Sequence, residues 1–399
     1  MNSNPIRSIY PVALAHTAIE LSNNYLPVVY PLLIASLGLS YAQVGLVTLA
    51  SSTGTALLQP LFGYLSDRWE SRRIIIASVV WIGLLMGMVG LTPTYGLLIA
   101  LVGLGSLGSA AYHPAGASAA AAIPTRRKGA SLSIFSVSGT LGAALSPLWA
   151  AAAIAWLGLR GTTLLVPFGL LLGLLLTMQP GWGGATSHST PAGGRALARR
   201  DGSLLALILV TLAVMTRSWV QLSLTTYLPE WLQGQGWTMA GSGQMLTGLL
   251  IAISAGTLIG GVLSDRIGRW QVLALSLALL APLPVFLVTA TGLARITLVG
   301  LFGFLLGASF PATVLMAQEA WPRGIGMASA LVIGLGWLPG GIGASFTGLM
   351  ADRSSLAAGL QLLAVPPVAG LACTLLYAAH RRAAARQEAR GVGDAEPRP

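Results

Sequence analysis

Four side chains that carry or can take a charge lie well inside long apolar stretches: His16, Glu20, His113 and Arg217. A charge near the centre of a bilayer costs about 2.5–3.5 kcal/mol on insertion scales, so such residues are where chemistry is to be sought. His16, Glu20 and Asn24 are spaced i, i+4, i+8 and share one stripe of a helix, with Asn23 beside it. A carboxylate shielded from water can take up a proton near neutral pH, which makes Glu20 the first candidate for proton coupling and His16 the second. The alternative is a hydrogen-bonded Glu that only fixes helix packing. Arg217, Gln221 and Thr225 form a second stripe. A guanidinium cannot shed its charge, so Arg217 needs an anion: a carboxylate such as Glu20, or the phosphonate, phosphate or carboxylate of a substrate. His113 precedes Pro114, which removes a backbone donor from the carbonyl four residues back. It is either a third proton-coupling group or a repair of that defect, and Tyr112 beside it is either packing or a substrate contact.

The elements that must position these groups are membrane helices. The chain has 399 residues, 54% of them hydrophobic and only 8% charged, where a soluble domain carries about 25% charged residues. The net charge of +11 does not indicate a nucleic-acid partner, because the basic residues fall in short clusters between apolar runs. Cys373 is the one cysteine, so no intramolecular disulfide forms and no cysteine-rich metal site exists. There is no Walker phosphate loop, no Gly-x-Ser-x-Gly elbow and no His-Glu-x-x-His. Acids and histidines look too few and too scattered for a metal cage. The expectation is a protein without cofactor or metal, not an enzyme, whose work is driven by an ion gradient rather than by ATP.

A spanning helix needs about 20 mostly apolar residues, and that ruler gives twelve spans. They are 9–36, 42–65, 74–91, 96–122, 130–154 and 162–178, then 204–230, 239–263, 271–290, 294–320, 325–350 and 356–379. The first imitates a signal peptide at Ala13-Leu-Ala15 but continues past Tyr30, and is expected to be retained. Arg7, Arg68, Arg72, Arg73, Arg126, Arg127, Lys128, Arg195, Arg199, Arg200, Arg266, Arg269, Arg323 and the tail arginines fall in one set of loops. The alternate loops hold Arg160, Arg295 and Arg353. That asymmetry places both termini in the cytoplasm. The expected organisation is a six-helix bundle over 1–178, a cytoplasmic linker at 179–203, a second bundle over 204–379 and a basic tail at 380–399, fraying on anionic headgroups. Repeated Gly-x-x-x-Gly pairs, among them Gly83/Gly87, Gly169/Gly173, Gly256/Gly260 and Gly303/Gly307, predict close helix packing.

One phrase occurs twice. Gly63-Tyr-Leu-Ser-Asp67-Arg68-Trp-Glu-Ser-Arg72-Arg73 returns 198 residues later as Gly261-Val-Leu-Ser-Asp265-Arg266-Ile-Gly-Arg269. Tyr112-His113-Pro114 is echoed by Phe310-Pro311, and Gly139 by Gly336. Six spans per copy makes the copies parallel repeats. The duplicated Gly-x-Leu-Ser-Asp-Arg loop resembles the signature loop of the major facilitator superfamily. Within it, several stretches resemble the fosmidomycin-resistance branch. These are Tyr30-Pro31-Leu-Leu, Leu39-Ser40-x-x-Gln43-x-Gly45, Gln59-Pro60-x-x-Gly63-Tyr64-x-x-Asp67, Gly105-Ser-x-x-Ser-x-x-Tyr-His113-Pro114, Ile134-Phe135-x-Val137-x-Gly139 and Arg217-Ser218. The chain departs from that branch at Glu20, where the family's first helix tends to read His-x-x-Asn-Asp, and at Ser136, where the family has Gln.

The resemblance implies an all-α integral membrane protein of the major facilitator fold, with spans one, four, seven and ten around a central cavity. It implies proton-coupled export of a small anionic or amphipathic compound by alternating access. Glu20, His16 and His113 would handle the proton. Arg217, Gln221, Asn24, Tyr112 and Thr225 would meet the substrate, and Gly63, Asp67, Arg68, Arg72, Asp265 and Arg266 would form the gating loops. Partners would be the substrate, protons and the lipid of an inner membrane, with the chain a monomer and no nucleic acid bound. Uptake of an organic or phosphorylated anion is the alternative of the same class, and a non-transporting receptor or scaffold that of another.

Overall fold

A computed structural model describes residues 9–66, 68–122, 128–182, 202–322, 328, 331–332 and 336–393. The regular elements among them are helical. The first span is two helices, α1 (Tyr10–Asn23) and α2 (Leu26–Leu37); α3 (Tyr41–Ser66), α4 (Ser71–Gly87), α5 (Tyr95–Ala122) and α6 (Lys128–Leu157) follow. A 3-10 turn at Gly158–Leu164 leads into α7 (Leu165–Met178), which completes the first half. The second half holds α8 (Leu204–Gly234), α9 (Met239–Ile267), the split span α10 (Arg269–Leu280) and α11 (Leu283–Thr289), and α12 (Gly292–Ala320). It ends with α13 (Leu338–Arg353), α14 (Leu356–Gln361) and α15 (Val365–Gly393). Among the described residues eight stretches are long and apolar enough to cross a membrane, one of which, Ile134–Met178, joins two helices. Three of the expected spans lie outside these eight: the first is broken between α1 and α2, α3 is diluted by Ser51, Ser52, Thr53, Thr55 and Gln59, and α13 has only 16 residues.

Two breaks differ from the uninterrupted spans expected. Pro27 sits in the first turn of α2 and has no N–H for the Asn23 carbonyl, while the Asn24 side chain donates to Glu20 O at 2.9 Å. Both effects end α1. The ninth span breaks at Pro282, which caps α11, with Pro284 in the first turn of that helix. The tail also departs from the fraying expected, since α15 stays helical to Gly393. Its base is held by Ser203 Oγ, 2.8 Å from His380 Nε2, and by Arg382 over the Trp270 ring.

The internal repeat reappears as packing. In the first half, span one packs on five, two on four, three on four and three on six; seven on eleven, eight on ten, nine on ten and nine on twelve repeat this. The halves meet where span two packs on eleven, five on eight and one on seven, so the contacts between them obey the same pseudo-symmetry. Glycine makes the tightest of these contacts possible. A Cβ on Gly256 would lie 2.1 Å from Phe304 O, and one on Gly83 would lie 2.9 Å from Leu165 O. The Gly-x-x-x-Gly expectation is met there by backbone-to-backbone packing.

Candidate functional site

The break after α1 leaves Glu20 near the end of a helix, beside spans four and five. His16 Nδ1 lies 2.7 Å from Phe135 O. A carbonyl only accepts, so Nδ1 carries the proton of a neutral ring and Nε2 presents a lone pair. That lone pair faces Glu20 Oε1 at 3.8 Å, and His113 Nε2 meets the same oxygen at 3.3 Å. Asn24 Nδ2 donates to the other oxygen, Glu20 Oε2, at 2.9 Å. His113 Nε2 also lies 3.1 Å from Ser109 Oγ. Of its two ring nitrogens, His113 thus turns Nε2 to Glu20 and Ser109.

Packing fixes the cluster. The His16 ring stacks on Phe135 at 4.2 Å and lies 5.2 Å from Tyr112. Gly139 leaves the space the imidazole fills, for a Cβ there would stand 2.4 Å from His16 Cε1. Tyr112 is fully buried and donates to Val12 O at 2.7 Å, so its hydroxyl ties span four to span one. The acids and histidines that looked scattered in sequence are therefore gathered: His16, Glu20 and His113 present ligand atoms within 4.8 Å of one another.

Arg217 is 1% exposed on α8. Its Nη1 donates to Gln221 Oε1 at 2.8 Å and to Leu306 O at 3.1 Å, and its guanidinium lies over the Phe310 ring at 5.3 Å. Its Nε has no hydrogen-bond partner, and among the described residues no ion pair includes it. Thr225, on the same stripe, donates back to Gln221 O at 2.9 Å. The structure thus holds Glu20 and Arg217 in two separate networks, one in each half, rather than in the direct ion pair the sequence left open.

The repeated phrases behave differently from each other. Asp67 lies outside the described residues. Gly63 and Gly261 are not tight approaches, since a Cβ on either would find its nearest neighbour 3.9–4.0 Å away, on Pro114 and Pro311. Arg68 lies over the Tyr64 ring at 4.1 Å. Arg72 donates to Thr177 O at 2.7 Å and Gln179 O at 2.9 Å, placing a cation on the C-terminus of α7. Asp265 and Arg266 are exposed, and Arg269 instead pairs with Glu319 of α12.

The model of the Major Facilitator Superfamily matches residues 12–344. The chain belongs to the Major Facilitator Superfamily. It is therefore a membrane transporter protein, not an enzyme. Among curated proteins it is 28% identical over 365 residues to the fosmidomycin resistance protein of Escherichia coli (strain K12), covering 90% of each chain. It is 27% identical over 394 residues to an uncharacterised MFS-type transporter of Bacillus subtilis (strain 168), covering 93% of this chain and 94% of that one. Among solved structures, a bacterial homologue of the human lysosomal transporter Spinster superposes with a TM-score of 0.83 at 16% identity, over 94% of this chain and 98% of that one. A nucleoside transporter superposes with a TM-score of 0.77 at 12% identity, over 94% and 100%.

In this superfamily member the halves are clasped at the face away from the chain ends, by residues that the sequence did not single out. Asp352, at the end of α13, accepts from Tyr41 N at 2.7 Å through Oδ1 and from Ala42 N at 2.9 Å through Oδ2. Tyr227 of α8 donates to Tyr41 O at 2.8 Å, and Thr48 meets Thr226 at 3.1 Å. Asp352 stands beside Arg353 at a span end, where a charge reads as a boundary marker. Its partners are backbone groups 310 residues away, which leave no trace in side-chain pattern.

Proposed function

We propose that the chain is a proton-coupled secondary transporter that exports a small anionic or amphipathic compound by alternating access of its two six-helix bundles. The observation that carries this is the division of labour between the halves. One sets a half-buried carboxylate against two imidazoles, and the other buries a guanidinium that no described carboxylate neutralises. In the first network His113 Nε2 meets Glu20 Oε1 at 3.3 Å and the lone pair of His16 Nε2 faces the same oxygen at 3.8 Å, so a further proton taken up between His16 and Glu20 turns that approach into a hydrogen bond. In the second, Arg217 keeps its charge and an open Nε for the phosphonate, phosphate or carboxylate of a substrate. Gln221 orients the guanidinium, while Asn24 orients the proton-binding carboxylate.

The similarity to a fosmidomycin resistance protein supports a phosphonate drug or related metabolite as cargo, and export as the direction. The bundles would comprise residues 1–178 and 204–379, joined by 179–203, in a monomer of an inner membrane. The arginine-rich loops put both ends in the cytoplasm, so the clasped face is the outer one. Asp67 and its repeat would steady the opposite closure.

The test is transport in proteoliposomes with an imposed pH gradient, across a panel of phosphonates, phosphates and carboxylates. The expected result is uphill movement of an anion against the proton flux. In Glu20→Gln, uphill movement should be lost while exchange of substrate for substrate persists. An unchanged pH dependence in Glu20→Gln would remove the coupling role from this cluster.

A further inference from the structure

Beyond the proton, the two imidazole nitrogens and the carboxylate oxygen gathered here make the donor set of a transition-metal site. We infer that His16 Nε2, His113 Nε2 and Glu20 Oε1 form a site for one divalent zinc-type ion, and that the ion competes with the coupling proton. Binding of the ion stands on geometry alone; the competition rests on the proton-coupling reading above.

Tetrahedral zinc with bonds of about 2.0–2.1 Å sets its ligand atoms about 3.3–3.4 Å apart. Here the imidazole nitrogens lie 3.3 Å and 3.8 Å from the carboxylate oxygen, and the three atoms lie within 4.8 Å of one another. Closing that triangle needs side-chain shifts that total at most about 1.4 Å, shared between two imidazoles. Two imidazoles and one carboxylate favour zinc, cobalt or nickel over magnesium or calcium, which take oxygen ligands.

The surrounding groups are those a metal site requires. A ligating imidazole is held by a bond from its other nitrogen, and a ligating carboxylate by a bond to its free oxygen. His16 Nδ1 donates to Phe135 O, which fixes the tautomer that leaves Nε2 open. Asn24 Nδ2 donates to Glu20 Oε2, which turns Oε1 towards the histidines. Of the other polar groups around the trio, the Tyr112 hydroxyl is committed to Val12 O and the Ser109 hydroxyl can rotate away from His113. His113 is the most open of the three, at 28% side-chain exposure, so a water or a ligand atom of a substrate can complete the fourth position from its side.

The experiment uses the full-length chain, purified without a histidine tag and placed in lipid nanodiscs, titrated with Co²⁺ and then Zn²⁺. The expected result is one Co²⁺ per chain with the intense visible bands of a tetrahedral ion, displaced by one Zn²⁺. Affinity should weaken as the pH falls, because protons and metal claim the same nitrogens. Glu20→Gln and His113→Gln should each weaken binding by about tenfold or more, with Arg217→Gln as the control that keeps it. Thermal unfolding with and without Zn²⁺ guards against a variant that fails to fold, since His16→Gln supplies an independent loss of a ligand. Absence of the tetrahedral bands, or equal Zn²⁺ affinity in the wild type and all three ligand variants, would overturn the site. In proteoliposomes Zn²⁺ should slow proton-driven transport. Metal binding without that effect would defeat the competition alone. Intact coupling with no metal bound would leave the proton reading standing and end this one.

Discussion

The imidazole of His16 stands where a side chain on residue 139 would be, which gives Gly139 a role its position in a repeat does not reveal. Gly139→Ala should push the ring from Phe135 O and from Glu20. Overpacking of this kind costs about 1–3 kcal/mol, so the variant should fold with a lowered thermal midpoint and a coupling defect out of proportion to the loss. Equal loss of uphill transport and of exchange would point to simple misfolding instead. Arg217 makes the second residue-scale prediction. If it grips the substrate anion, Arg217→Lys keeps charge but loses the two-pronged contact, and affinity for an anionic ligand should fall about tenfold, or about 1.4 kcal/mol. Arg217→Gln should lower it about a hundredfold, while neutral amphipathic ligands lose less; calorimetry on the folded variants decides. Undiminished anion affinity in Arg217→Gln would sink the substrate role. Single residues of this kind were legible in the sequence, because a charge in an apolar run has few innocent explanations. Their partners were not. Nothing in the spacing of His113 and His16, 97 positions apart, says that both reach one oxygen of Glu20.

At the scale of elements, helix ends do what side-chain pattern does not announce. Pro27 and Asn24 end α1 where Glu20 needs to turn, so the break belongs to the site as well as to the span. Arg72 and Arg269 both follow the repeated phrase, one position out of register, and one caps α7 while the other pairs with Glu319. Sequence likeness between repeats therefore carried over the fold and the packing of spans, but not the contacts of each arginine. The carboxylate of Asp352 on the first two N–H groups of α3 is the clearest case, because it ties an element of one half to an element of the other. A negative group on a helix N-terminus stabilises it by about 0.3–1 kcal/mol when exposed. Asp352→Asn should remove much of that and shift the ratio of clasped to open forms by up to about fivefold. Spin labels on the two halves near this face should report more of the longer distance, with thermal stability nearly unchanged. An unaltered distance distribution would make Asp352 a local cap and nothing more.

For the whole molecule, what matters is whether closure of this face is one state of a cycle or simply the resting shape. The seam between α3 and α13 is built for contact without side chains. A Cβ on Gly45 would lie 2.4 Å from Ser345 Cα, one on Gly341 would lie 2.8 Å from Leu49 Cα, and one on Gly348 would lie 2.3 Å from Tyr41 O. Each of these distances runs from one half to the other, so a larger residue at Gly45 cannot fit while the face is closed. A close-packed interior does not yield by ångströms to admit it. The packing within each bundle does not depend on that seam, and α3 still has α5 to rest on. Gly45→Val should therefore fold, keep its helix content and its thermal transition, and be unable to close this face. If closure alternates with the opposite state, the variant is trapped with this face open. Cysteines placed along the outer half of α3 should then react with a membrane-impermeant thiol reagent, uphill transport should vanish, and ligand should still bind from the open side. If the closed face is instead a fixed wall, the same substitution must break the wall or the fold, and the protein should unfold early or leak protons. Reagent labelling and a proton-leak assay on one preparation separate the two, and labelling at wild-type levels in a stable Gly45→Val protein would refute the steric account of the seam altogether.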